Sequence, residues 1–172
     1  MKTLNYPIMF TFEQYMIQRS QSLFLLAIII ICGIAISLTI PYFTTKNRTT
    51  NDHVTVAYNT TTIITNEGSM TEKNKLIIYC VFAIFTSSLL SLISFKNRKL
   101  QLLLISLNFI TICLLGGLMY AFSLGMNYFN QNDINSFKIG STLPIVILFL
   151  NLAAFRGVKK DEQLVRSMDR LR

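Results

Sequence analysis

Side chains able to carry out chemistry are few in this sequence and lie far apart. The 172 residues include one histidine, His53, and three cysteines, Cys32, Cys80 and Cys113, with no CxxC pair. A metal or redox site needs clustered ligands, and a lone imidazole without a second ligand nearby is typical of a surface residue. Each cysteine lies in a different apolar segment, as expected for an unreactive buried thiol. We therefore expect no metal, no haem and no other cofactor.

Sequence motifs of hydrolases and nucleotide-binding proteins are absent. No serine lies in a Gly-x-Ser-x-Gly context, and no glycine-rich phosphate-binding loop is present. The one adjacent pair of acidic residues, Asp161 and Glu162, belongs to a charged C-terminal segment, and we interpret the pair as part of a solvated helix face. A membrane enzyme would need a cofactor for which the sequence offers no ligands. The expectation is a protein without catalytic residues, not an enzyme.

Four apolar segments dominate the chain, and they predict its fold. None of them contains Asp, Glu, His, Lys or Arg, and their bounds are residues 23–40, 76–95, 100–122 and 139–155. The shorter ones hold about 18 residues, which as a helix cover roughly 27 Å of the ~30 Å hydrocarbon core of a bilayer. The prediction is an all-α membrane protein, a bundle of four transmembrane helices. Since the helices carry no ionisable group, a proton-coupled pump is disfavoured.

The segments between and after the helices have their own predictions. Pro41 should end the first helix and leave Tyr42 and Phe43 at the membrane interface. The sequence VTVAYNTTTIIT, residues 54–65, predicts a small β-hairpin on the outer side, because it is rich in β-branched residues. Apolar residues at helical spacing in the tail, residues 156–172, predict a separate amphipathic helix on the membrane surface.

The distribution of basic residues predicts the orientation. The net charge is +8, but the lysines and arginines are divided among short segments that flank the apolar ones, which disfavours nucleic-acid binding. With both termini in the cytoplasm, the inner segments hold eleven lysines and arginines and the outer loops five. Orientation follows this bias, so we expect a multi-pass protein of the cytoplasmic membrane with both ends inside.

Polar and small residues within the apolar segments are candidates for helix contacts. Ser87 and Ser91 share one helix face, and Gly117, Ala121 and Gly125 follow one another at four-residue spacing, which allows another helix to approach closely.

Two amides in the apolar segments, Asn108 and Asn151, could hydrogen-bond to each other across the third and fourth segments. In that case they stabilise the packing of the helices. The alternative is a polar path near these two amides for a small molecule or a lipid, which would make the protein a transporter.

Two terminal motifs resemble those of a known group. The sequences MIQRSQSLFLL, residues 16–26, and KKDEQLVRSMDRLR, residues 159–172, resemble the ends of an uncharacterised family of small bacterial integral membrane proteins with four spans, a domain of unknown function. The resemblance implies a bacterial inner-membrane location and no reaction. It also implies that residues 16–172 form the membrane domain and that residues 1–15 are an N-terminal extension.

Charged residues of these motifs should meet on the inner face, either as anchors against lipid phosphates or as a docking face for a larger assembly. The candidates, beside Gln18, are Arg19, Lys160, Asp161, Glu162, Arg166, Asp169 and Arg170. The expected function is a non-enzymatic structural or accessory membrane protein with membrane lipids and other membrane proteins as partners.

Overall fold

Four helices and five strands make up the part of the chain that the computed structural model describes, which is residues 8–48, 52–65, 68–95, 97–124 and 133–169. The helices are α1 (Ile8–Ser37), α2 (Lys75–Ile93), α3 (Arg98–Leu124) and α4 (Leu143–Asp169). The strands are β1 (Pro41–Asn47), β2 (His53–Ala57), β3 (Thr60–Thr65), β4 (Gly68–Lys73) and β5 (Asp133–Phe137). The prediction of an all-α fold is therefore wrong, because helices and a sheet are combined.

The five strands form one antiparallel sheet in the order β4-β3-β2-β1-β5. The hairpin predicted over residues 54–65 is present as β2 and β3, where Val54 lies opposite Ile63. It is only the centre of a larger sheet, which β5 completes by pairing Phe137 with Phe43. The β-branched residues of β2 and β3 suit these strands, since their side chains pack well on a pleated surface.

The helices pack in a ring, in which α1 contacts α2 and α4 while α3 contacts the same two helices. The sheet strands connect α1 to α2 and α3 to α4, so the sheet lies at one end of the bundle. We call this the sheet end. The opposite end holds the short connection between α2 and α3 and the later turns of α4, and we call it the turn end.

One apolar core joins the sheet to the helices. Tyr42 and Phe43 are only 1% and 2% exposed, and they pack with Ile28 of α1, Ile84 of α2 and Leu115 of α3. The expectation that Tyr42 and Phe43 lie at the membrane interface is therefore wrong. Residues 38–40 lead from α1 into β1, and the strand turns both rings into the interior.

Apolar side chains also cover the outward faces of the helices. Leu23, Phe82, Ile110 and Phe149 are among the most exposed of them, with Phe149 at 67%. Apolar side chains thus lie both inside the bundle and on its outward faces, whereas the outward faces of a soluble bundle are polar. Three stretches, Lys75–Ile93, Arg98–Leu124 and Ile139–Leu164, are long and apolar enough to cross a membrane. The apolar part of α1, Gln21–Ser37, is shorter.

The last helix differs from its predicted form at both ends. Residues 139–142 form a 3-10 helix, so α4 begins four residues later than expected. The helix then continues to Asp169 without a break, and the predicted separate amphipathic helix on the surface is wrong. The reason lies in the packing: Ala154 and Val158 are buried one turn apart, so the helix stays in the bundle beyond the predicted end of the apolar segment.

Candidate functional site

Most buried polar side chains of the helices lie in the half of the bundle nearer the turn end. They are Gln21 of α1, Ser88 and Ser91 of α2, Gln101 and Asn108 of α3, and Asn151 of α4. Toward the sheet, the buried positions of α3 are Ile112, Leu115 and Met119, followed by Ser123. Three threonines of the strands, Thr44, Thr45 and Thr61, are also buried there. The helix interior is therefore more polar toward the turn end.

Asn108 ties α3 to α2. Its Nδ2 donates to Ser88 Oγ at 2.7 Å, and its Oδ1 accepts a hydrogen bond from the Ser87 hydroxyl. Ser87 Oγ also lies 2.7 Å from the carbonyl oxygen of Ala83, which is an alternative acceptor for its single hydroxyl hydrogen. Asn108 is completely buried, so these bonds satisfy an amide that would otherwise be costly in an apolar interior.

Asn151 ties α4 to α3, but through the backbone. Its Nδ2 donates to the carbonyl oxygen of Ile105 at 3.0 Å, one helical turn from Asn108. Its Oδ1 has no hydrogen-bond partner among the described residues, and neither has the hydroxyl of the buried Ser91. The expected bond between Asn108 and Asn151 is thus not formed, because each amide finds a different partner on the neighbouring helix.

A small pocket opens at the turn end, between α1, the start of α3 and the later turns of α4. Its volume is about 80 Å³, and it is lined by Gln21, Ser22, Phe95, Arg98, Gln101, Val158 and Asp161. Gln21 Nε2 donates to Asp161 Oδ2 at 2.7 Å, and Arg98 Nη1 donates to the main-chain oxygen of Asp161 at 2.8 Å. Asp161 therefore holds three elements together.

Gly157 allows α1 and α4 to approach beside this pocket. A Cβ atom at this position would lie 2.6 Å from Cγ of Gln21, well inside van der Waals contact. The glycine therefore leaves room for the Gln21 side chain to lie against α4 and reach Asp161, one turn further along.

The structure describes some of the predicted inner-face residues and not others. Asp161 lines the pocket, Lys160 is exposed and Glu162 is half-buried. Outside the described part lie the side chains of Gln18, Arg19, Arg166 and Asp169. Arg170 lies outside it as a whole residue. The sequence analysis missed Gln21, Arg98 and Gln101 as site residues. The available signal was the seven-residue spacing of Gln101 and Asn108, which places both on one helix face.

The residues predicted for helix packing divide into two groups. Ser87, Ser91, Asn108 and Asn151 lie at contacts within the bundle or in its interior. Gly117 and Ala121 are exposed on the outward face of α3, and a Cβ atom at Gly117 would meet nothing within 4 Å. Gly125 lies outside the described residues.

The turn-end pocket offers one cation, one carboxylate, two amides and the Ser22 hydroxyl, and these groups can bind a polar ligand. Among the described residues, no group of three His, Cys, Asp or Glu side chains could hold a metal ion.

Comparison with known proteins adds one match. A family model described as "Domain of unknown function (DUF4293)" matches residues 17–171. No curated protein matches the chain.

Proposed function

The chain belongs to the DUF4293 family, whose function is unknown, and we propose that it is a non-enzymatic accessory protein of the bacterial cytoplasmic membrane. In this proposal it is a subunit or partner of a larger membrane assembly. The helices cross the bilayer, and the outward face of α3 contacts a helix of another protein.

The outward face of α3 carries the proposal. Cys113, Gly117 and Ala121 follow one another at four-residue spacing and are all exposed. Bulky side chains flank them, including Leu114 and Tyr120 at 53% and 61% exposure. Small residues between bulky ones make a shallow groove, and membrane helices associate through grooves of this kind because their backbones can come close together. Contacts within the chain give Gly117 no packing role.

The interior supports a structural role over transport. Asn108 is paired with Ser87 and Ser88, and the buried positions of α3 that follow it toward the sheet, Ile112 and Leu115, are apolar. A transported polar molecule would need groups that continue through this half. Among the described residues, the unpaired Asn151 Oδ1 and Ser91 hydroxyl favour the transporter alternative, but both lie in the half of the bundle nearer the turn end.

The proposed orientation places the turn end in the cytoplasm and the sheet outside. Over the full sequence, the segments on the side of the turn end hold eleven lysines and arginines and the loops on the side of the sheet hold five, and the cytoplasmic side of membrane proteins is enriched in both residues. The sheet would then present its exposed edge strand β4 to the outer compartment.

Association can be tested with a bulky substitution at the glycine. The full chain is extracted from its native membrane in lipid nanodiscs, and the mass of the intact particle is measured for the wild type and for Gly117→Leu. We expect partner chains with the wild type and their loss with Gly117→Leu, because the leucine fills the groove.

The matched control is Gly33→Leu on α1, another helical glycine whose Cβ would meet nothing within 4 Å. It should keep the partners. A wild type recovered only as a single chain under these conditions would refute the proposal. Equal loss of partners in both variants would refute the role of the α3 face.

A further inference from the structure

The turn-end pocket has properties of a ligand site. Gln101 lines it and is only 6% exposed, yet its side-chain amide has no hydrogen-bond partner among the described residues. Its amide faces a pocket with polar walls, so a polar group bound there can take the hydrogen bonds that this amide leaves open. We propose that this pocket binds the headgroup of a phosphoethanolamine lipid.

The two charges of the pocket fit a zwitterion. Arg98 donates to the main-chain oxygen of Asp161 and not to its carboxylate, while that carboxylate accepts from the neutral amide of Gln21. The cation and the anion are therefore both present without neutralising each other. A guanidinium has five N–H groups and suits a phosphate, whereas a carboxylate suits a primary ammonium. A purely anionic or purely cationic headgroup would meet one repulsive charge.

The volume of the pocket favours ethanolamine over choline. Engineered cavities of about 150 Å³ accept benzene, which has six non-hydrogen atoms. The pocket has about half that volume, 80 Å³, and therefore has room for about three such atoms. The ammonium nitrogen and two carbons of ethanolamine match this number, and the three methyl groups of choline would exceed it. The phosphate would then lie outside this volume, beside the partly exposed Arg98.

The position of the pocket suits a lipid rather than a soluble ligand. Its wall includes Phe95, which is 57% exposed, and Ser22 is followed along α1 by the exposed Leu23. These outward apolar side chains continue into the faces that would contact acyl chains. In the proposed orientation, the pocket lies at the level of the inner headgroups, where basic pockets between helices bind lipids.

A series of methylated lipids tests the size and charge of the site in the unmodified protein. The delipidated full chain in detergent is titrated, in native mass spectrometry, with phosphatidylethanolamine, its N-methyl and N,N-dimethyl forms, phosphatidylcholine and phosphatidylglycerol of identical acyl chains. We expect affinity to fall with each methyl group, with about a tenfold preference for phosphatidylethanolamine over phosphatidylcholine. Equal binding of these two lipids, or tighter binding of phosphatidylglycerol, would overturn the proposal.

Substitutions of Asp161 and Arg98, each with a control, test which side chain binds which charge of the headgroup. Asp161→Asn keeps an oxygen that can accept from Gln21, so the contact can persist while the negative charge is lost. It should abolish the preference for phosphatidylethanolamine over phosphatidylcholine, whereas Glu72→Gln, at an exposed carboxylate of the sheet, should not. Arg98→Gln should weaken all phospholipids about tenfold, and its neighbour Lys99→Gln should have a smaller effect. A preference unchanged by Asp161→Asn would contradict the assignment.

A soluble probe separates a lipid from a free headgroup. Glycerophosphoethanolamine carries the same charged groups without acyl chains. We expect it to compete only at far higher concentration, and equal potency would show that the site takes the free headgroup and refute the lipid assignment. Partner association, tested through Gly117, is a separate measurement, so either proposal can fail alone.

Discussion

Gly140→Ala should strongly destabilise the protein. Gly140 lies in the 3-10 helix that leads from β5 into α4, and it packs against the backbone where α1 gives way to β1. A Cβ atom here would lie 2.4 Å from the carbonyl oxygen of Pro41 and 2.9 Å from its carbonyl carbon. Since carbon atoms pack optimally at about 3.5–4.0 Å, one of the two backbone segments must move by about 1 Å.

The loss in the free energy of unfolding depends on which backbone segment must move. Overpacking against a fixed neighbour costs about 1–3 kcal/mol, and a backbone neighbour cannot rotate away as a side chain could. The Tyr58 hydroxyl also donates to the carbonyl oxygen of Gly140 at 2.7 Å, so a shift of the 3-10 helix weakens that bond as well. We expect Gly140→Ala to lower the free energy of unfolding by about 3 kcal/mol.

The assay is equilibrium unfolding in mixed detergent micelles, followed by far-ultraviolet circular dichroism. The matched control is Gly117→Ala, also a glycine-to-alanine change, where a Cβ atom would meet nothing within 4 Å. The control should lose no stability, because alanine is the better helix former. If Gly140→Ala unfolds at the same detergent fraction as the wild type, the close contact with Pro41 is not part of the folded protein.

Three further predictions concern the buried polar groups. Tyr58→Phe should cost about 1 kcal/mol by removing the bond to Gly140. Tyr42→Phe should be neutral or stabilising, since the buried Tyr42 hydroxyl has no partner in the part of the chain that the structure describes, and denaturation of both variants checks this. Burial raises the pKa of Tyr58 above its ordinary value, so the phenol ionises more readily in the unfolded chain. The free energy of unfolding should therefore fall as the pH rises above about 10. Tyr58→Phe should reduce that fall in a series of melting curves at increasing pH. Asn108→Leu should lower the free energy of unfolding in detergent by about 1 kcal/mol, at about 0.6 kcal/mol for each of the two side-chain hydrogen bonds of Asn108. A double-mutant cycle with Ser88→Ala should give a coupling energy near 0.6 kcal/mol, and zero coupling would contradict the bond between Asn108 and Ser88.

The helices could be predicted from the sequence because their signal is local. The segment 76–95 agrees with α2, Lys75–Ile93, and 100–122 falls within α3, Arg98–Leu124. A run of apolar residues without a charge needs no knowledge of the remaining chain to indicate a helix in an apolar environment. The same applies to the hairpin of β2 and β3, whose partners are adjacent in sequence.

The sheet as a whole could not be predicted in this way. The pairing of β1 with β5 joins Phe43 to Phe137, which lie far apart in the chain, and β5 has the sequence DINSF, with no alternation strong enough to indicate a strand by itself. Pro-Tyr-Phe after an apolar helix fits a membrane interface equally well by composition. Whether Tyr42 lies at a membrane interface or inside the protein depends on its burial by distant parts of the chain, and this burial is a property of the tertiary structure.

The two buried asparagines could be predicted from the sequence, but their hydrogen-bond partners could not. Asn108 and Asn151 stood out as amides in apolar segments, and both are buried. Their partners depend on the rotation of each helix about its axis, which directs Asn108 to α2 and Asn151 to the backbone of α3. The sequence constrains this rotation only through the pattern of small and large residues, so the two amides could be identified without their partners.

The two ends of the bundle are held together by different means, and this bears on where a ligand could act. At the sheet end, backbone hydrogen bonds between strands connect the segments that follow α1 and α3, and these bonds do not depend on side chains. At the turn end, only α2 and α3 are joined by a short connection, so α1 and α4 are held to it by side chains, with Gln21 and Arg98 both bonded to Asp161. A group that binds Asp161 or Arg98 therefore shares these side chains with the contacts that close this end. Occupancy of the turn-end pocket should thus alter the spacing of α1 and α4 more than that of any pair at the sheet end.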